Sequence, residues 1–296
     1  MRRFWIVLAL LFILVGCRKL SPTPGLTPVP TQEPKSIEPQ IQATSQGGDI
    51  MLTDPQEVVE NMQALCCEEG WLETLTQAEY QQSLAEDDVE IIDIGATFLE
   101  NLEAAGKKFD PNQYFTVLTH LSPEEGYLLD YVYFGPGGDG FPWLYARRET
   151  DPPFENYSAY EQSGHVGYLS HIQVDGTAEG YYELVVLSIL GEQFYLSWHG
   201  NYNDWEVVSS QERLEAIPAW LNEVYTPLTK EQEDAVLRLD VRPRVVFKEN
   251  KVQVRVLVFT KWGGFFERIL TINKDFPHHM TDESTELIPY NCGIMF

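Results

Sequence analysis

Basic side chains are scarce in this 296-residue chain: 20 Lys and Arg stand against 45 Asp and Glu, for a formal net charge of −25. Such a field repels nucleic acid and anionic headgroups, so nucleic acid is not expected as a partner. The plain reading of the acid excess is a solvated face that aids solubility. Long apolar runs are lacking as well. The longest, from Phe4 to Gly16, has 13 residues, and a helix that crosses the hydrocarbon core needs about 20. Short catalytic signatures are missing too: the chain has no G-x-S-x-G elbow, H-E-x-x-H, Walker loop or EF-hand loop. That excludes only enzymes announced by such motifs, because a working pair of carboxylates would be invisible among so many acids. No cofactor fingerprint is present. The glycine-rich stretch Gly135 to Pro142 is followed by no helix start and reads as a plain turn.

What is present begins at the N-terminus. Arg2 and Arg3 precede the apolar run, the pattern of a secretory signal peptide. The run ends in Leu14-Val15-Gly16-Cys17, which resembles the lipobox of bacterial lipoproteins. The resemblance covers only the first 17 residues. It implies cleavage before Cys17, a diacylglyceryl group on its thiol and, often, a further acyl chain on the new amine. Two or more chains make anchoring stable, since each buried methylene contributes about 0.8 kcal/mol. The expected address is extracytoplasmic, with the membrane as partner through lipid. Residues 18–49 are rich in Pro, Thr, Ser and Gln and have almost nothing apolar to bury. They read as a disordered stalk biased toward polyproline II.

From Ile50 onward the charge is uneven. Residues 50–200 hold 27 acids and 4 bases, and residues 201–296 hold 15 and 11. That change suggests a boundary near residue 226, between an acidic domain (50–226) and a C-terminal β-meander (227–296) that also suits a single domain. Beyond Cys17, the cysteines are 66, 67 and 292, an odd number that leaves at least one thiol without an intrachain partner. Helical periodicity turns Cys66 to the core side and Cys67 away from it, so Cys67 is the better partner for Cys292 if a bridge forms.

The patterning predicts helices first and hairpins after, an α+β fold with antiparallel sheet. Asp54-Pro55 opens a helix lined by Val58, Met62 and Leu65. A second is expected from residue 88 to Gly106, and a third from Asp110-Pro111 to about Leu121. Strands are expected at 127–134, 143–147, 166–174, 181–190, 193–199 and 204–208, with a long loop over 150–164. A capping box at Ser209 and Glu212 starts a helix to Tyr225 that Pro218 should kink or divide. A short helix near 230–238 precedes a three-stranded meander at 243–248, 251–260 and 265–273, turned at Glu249-Asn250 and Gly263-Gly264. Residues 274–296 show no clear pattern.

If Gly191-Glu192 closes a two-residue hairpin, Val185, Leu187, Ile189, Phe194, Leu196 and Trp198 share one apolar face. Ser188, Tyr195, Ser197 and His199 then share the other, beside Leu184 and Val186. Ser, Tyr and His on one face form the candidate ligand-binding set, with nucleophile and base chemistry available if that face lines a cleft. A solvated hairpin face would look the same. His165 with His171, and His278-His279 near Asp282 and Glu283, are rich in donors but match no zinc spacing, so no metal site is assigned. These readings lead to a surface-tethered binding or interaction module, for an unknown small molecule or envelope protein. An envelope-associated hydrolase is the alternative, and a structural envelope component the third reading.

The anchor has a direct test. Expressed in a bacterium, the wild-type chain should incorporate labelled fatty acid and partition into detergent, and Cys17→Ser should lose both. A serine variant that keeps its label would contradict the lipobox reading.

Overall fold

The computed structural model describes residues 50–66, 103, 108–134, 140–196 and 198–294. The lipobox, the stalk, Cys67 and nearly all of the helix expected over 88–106 lie outside the described residues. In chain order, the first elements are α1 (Pro55–Cys66), a 3-10 turn (Pro111–Gln113) leading into α2 (Tyr114–Val117), and the strands β1 (Leu121–Pro123), β2 (Tyr127–Phe134) and β3 (Phe141–Arg148). Next come α3 (Tyr157–Gln162), β4 (Ile172–Val174), α4 (Ala178–Leu190) and β5 (Glu206–Val208). The chain then forms α5 (Gln211–Val224), α6 (Lys230–Val236), β6 (Arg244–Phe247), β7 (Lys251–Thr260), β8 (Gly264–Asn273) and β9 (Met280–Pro289). This is an α+β fold with antiparallel sheets and a C-terminal meander, β7-β8-β9.

Strict alternation in β7 fixes how that meander faces the rest of the chain. Val252, Val254, Val256 and Val258 are fully buried on one side of the strand. They enter the larger core cluster with Leu270, Ile272, Val207 and Val245. Leu257 and Phe259 point to the opposite side, where Leu214, Ile217 and Leu221 of α5 and Val236 of α6 cover them. β5 and β6 both pair with β7, β5 opposite residues 257–259 and β6 opposite residues 252–255. The sheet and both clusters therefore run across residue 226, and all described residues belong to one compact unit, Ser45–Phe296.

Helix α4 fills the larger cluster. Eleven of its 13 residues are buried, and it touches α1, β1, β4, β5, β6 and β7. A helix apolar all round is a core helix, and periodicity alone cannot tell such a run from a buried strand. That ambiguity overturns the expected hairpin. Residues 181–190 are helical, capped by the Thr177 hydroxyl, which accepts the Gly180 N–H. Residues 193–196 form no strand, and a 3-10 turn begins at Trp198. Gly191 is the helix C-cap at φ −60°, so no positive φ is needed there. Its small size matters for another reason: a Cβ would lie 2.5 Å from the Leu187 carbonyl oxygen and 2.9 Å from the Tyr168 hydroxyl. Tyr195 takes the positive φ instead, at 56°.

Other expectations need smaller corrections. The stretch 166–174 holds a 3-10 turn, Tyr168–His171, before the short β4. The helix expected to reach Leu121 stops at Val117, and Leu121 begins β1. The loop over 150–164 contains α3, capped by the Asn156 side chain. Helix α5 runs through Pro218 as one element, and its cap is Ser210 rather than Ser209. Ser209 is buried and donates to Gln56 Oε1. Residues 280–289 form β9, which pairs along β8. Cys292 is a buried free thiol. Among the described residues, no helix is long and apolar enough to cross a membrane.

The helical assignment of 181–190 gives a discriminating variant. Leu184 is 1% exposed in α4, so Leu184→Ala should cost about 2–5 kcal/mol in urea unfolding. On a solvated hairpin face the same change would cost no more than about 0.5 kcal/mol.

Candidate functional site

Loss of the hairpin also removes the face that was to unite Ser188, Tyr195, Ser197 and His199. Ser188 lies on α4 and donates to the Val185 carbonyl. Tyr195 is buried, its hydroxyl accepting the Phe109 N–H at 2.7 Å and its carbonyl accepting the Tyr133 hydroxyl at 2.6 Å. Those bonds tie the segment after α4 to Phe109 and to β2. Ser197 lies outside the described residues, and His199 falls in a 3-10 turn, Trp198–Asn203. The strand face that was to unite Ser188 with Tyr195 is absent.

The structure brings a different set together at the other end of α4. A cleft of about 440 Å³ opens where the start of α1, the connection from α2 to β1 and the first turns of α4 meet. That volume falls within the range of small-molecule pockets, roughly 300–1,000 Å³. Leu52, Val58 and Val117 supply apolar surface, and Asp54, Glu57, Glu179 and Glu183 supply carboxylates. Tyr182 ties the two helices, donating from its hydroxyl to the Pro55 carbonyl at 3.0 Å.

The cleft owes its chemistry to a strand pairing only three residues long. β1 and β4 run antiparallel with Leu121 opposite Val174, so His120 and Asp175 are the next pair beyond the ladder. The Asp175 N–H donates to the His120 carbonyl at 3.2 Å, and His120 Nδ1 meets Asp175 Oδ2 at 2.7 Å. Asp175 Oδ1 accepts the Thr177 hydroxyl at 2.6 Å and the Thr177 N–H at 2.9 Å. With Nδ1 engaged, Nε2 is the ring nitrogen left for other partners. The His120 backbone N–H donates to Glu183 Oε2 at 2.8 Å.

Glu183 is the unusual member. It sits in the second turn of α4, between Tyr182 and Leu184, and is only 3% exposed. Its Oε1 takes no hydrogen bond among the described residues, and the side chain lines the cleft. Burial pushes its carboxyl up to about 7, raised further by Asp175 and Glu179 and opposed by the His120 N–H and ring. The hydrogen bond to Asp175 holds His120 above its ordinary value against the cost of burial, helped by Glu183 and Glu179. Burial pushes Asp175 up, but the bonds from Thr177 and His120 outweigh it and hold that carboxyl low. The arrangement thus combines a firmly ionised carboxylate, a histidine oriented by it and a carboxyl that changes charge near neutrality. Such sets can bind cations or move protons.

His165, His171 and His278 are engaged elsewhere in the fold. His165 Nε2 lies 2.7 Å from the Ala146 carbonyl, and His171 Nδ1 lies 2.7 Å from Glu124. His278 Nδ1 lies 3.0 Å from the Asn273 carbonyl. Among the described residues, no three His, Cys, Asp or Glu side chains converge as a metal site. Glu183 escaped the sequence reading, although a signal was there: it is the one acid in the apolar run from Tyr181 to Leu190. Read as a strand, that run makes Glu183 an ordinary end residue. Comparison with family models, with curated proteins and with solved structures gives no match.

The Glu183 carboxyl sets a pH dependence of stability. Its folded value, about 7, is above the ordinary 4.5, so the fold favours the neutral form. The stabilisation is complete below the unfolded value and is lost as pH rises through about 7. Glu183→Gln removes this loss. Relative to wild type it should gain on the order of 2 kcal/mol between pH 5 and pH 8, with screening by solvent in the cleft allowed for. Urea unfolding at both pH values checks this, and an equal effect at each would contradict it.

Proposed function

We propose that the chain is an envelope lipoprotein, anchored through Cys17, whose folded part binds a small molecule in the cleft at the start of α4. The lipobox resemblance and the Pro-rich stretch over 18–49 support tethering on a stalk. The observation that carries the binding reading is Glu183. Glu183 is 3% exposed, one of its oxygens accepts the His120 N–H, and the residue lines a cleft of about 440 Å³, so a donor bound there meets a largely desolvated carboxyl.

One observation favours a second reading. His120, oriented by Asp175, and the carboxyl of Glu183 form an acid–base set in the same cleft. A hydrolase acting on an envelope substrate would use these residues to move protons. A structural envelope component needs neither the cleft nor its charges, and nothing in the geometry favours it.

Thermal shift on the full chain in detergent micelles separates these readings. The probe is a panel of cationic, neutral and anionic compounds small enough for the cleft. Binding should raise Tm, by about 2.7 kcal/mol of stability at one hundred times Kd. The gain should vanish in Thr119→Trp, which places a bulky ring at an exposed position on the cleft wall. A panel in which no shift depends on residue 119 would overturn the proposal. Turnover of ester, amide or glycoside substrates, lost in His120→Ala, would favour the hydrolase.

A further inference from the structure

We infer that the cleft selects an organic ammonium ion, seated on Glu183 with its hydrocarbon part against Leu52, Val58 and Val117. The inference rests on the cleft being a ligand site and adds the class of ligand. The cleft carries carboxylates from α1 and from α4, and among the described residues that line it none is Lys or Arg. Its histidine is already engaged with Asp175 at 2.7 Å.

An acid near a helix start has an ordinary explanation, attraction to the helix dipole, and Glu57 and Glu179 need no other. Glu183 does. It is the sixth residue of α4, beyond the first turn, and is buried. Its Oε2 accepts a backbone N–H, while Oε1 has no partner among the described residues and the side chain forms part of the cleft wall. A carboxyl oxygen with no protein partner among the described residues, at the wall of a cleft, can accept from a donor there, and a charged donor gives the strongest bond. Alkyl and acidic surface in one cleft matches a molecule with a cationic head and an apolar body.

Butylamine, 1-butanol and butyrate are near-isosteric probes of opposite or zero charge. Titrated by NMR into the full chain in detergent micelles, butylamine should bind at least about tenfold more tightly than 1-butanol, and butyrate should be weakest. Glu183→Gln should weaken butylamine about tenfold. Glu223→Gln removes the same charge from an exposed position on α5, and it should leave butylamine binding unchanged. Equal losses in the two variants would mean diffuse attraction to an acidic protein, and the inference fails. If 1-butanol binds as tightly as butylamine and Thr119→Trp abolishes both, the cleft remains a ligand site but not one for a cation. If no probe binds in a way that depends on residue 119, the inference and the cleft reading fall together.

Discussion

Burial of helix α4 on nearly every side is the constraint on which the rest of this structure depends. Eleven of 13 residues are enclosed, so every neighbouring element must present an apolar face to the helix. The valines of β7 do so from one direction, and Leu129, Tyr131, Tyr133 and Leu144 of the β2-β3 hairpin add to the same core. Such a helix has little room for a charge. The one acid within its enclosed part, Glu183, is accommodated only at the wall of the cleft, where a backbone N–H meets one oxygen. The position that makes Glu183 expensive to the fold is the one on which the proposed binding draws.

A local pairing then supplies the chemistry around that carboxyl. β1 and β4 share only three residue pairs, too few to be a stable unit alone. They are held by α4, which packs on both strands. Their register delivers His120 to Asp175, and the same His120 backbone turns its N–H toward Glu183. One residue therefore links the strand pair to the helix through its backbone, meets Asp175 with its ring and lines the cleft. Thr177 does similar double service: its hydroxyl caps α4 and also bonds Asp175.

Legibility in the sequence followed the exposure of each element. Helix α1 was readable because Asp54-Pro55 marks its start and one face meets the core through Val59 and Met62. β7 and β8 were readable because alternation survives in a strand whose two sides meet different surroundings, and Glu249-Asn250 marks the turn between β6 and β7. β9 was not, because its residues from Thr281 to Leu287 are exposed and only Ile288 is buried, which leaves no periodicity to detect. α4 failed for the opposite reason: a run enclosed on all sides shows no stripe, and its valines and isoleucine suggest a strand. The grouping of Ser188 with Tyr195 depended on that strand and went with it. The residues that build the cleft come from three separated segments, near 54–58, 117–120 and 175–183. Only the pairing of β1 with β4 brings the last two together, and single-chain patterning carries no trace of it.

The proposed binding turns on the charge state of one buried carboxyl. Carbon-detected NMR of glutamate side chains, with the resonance assigned through Glu183→Gln, follows that state directly as pH changes. Glu183 should titrate near 7 in the free protein, apart from the other glutamates, and should fall toward the ordinary carboxylate range when butylamine is added. A Glu183 resonance that titrates with the exposed glutamates, and does not move with the amine, would contradict the account.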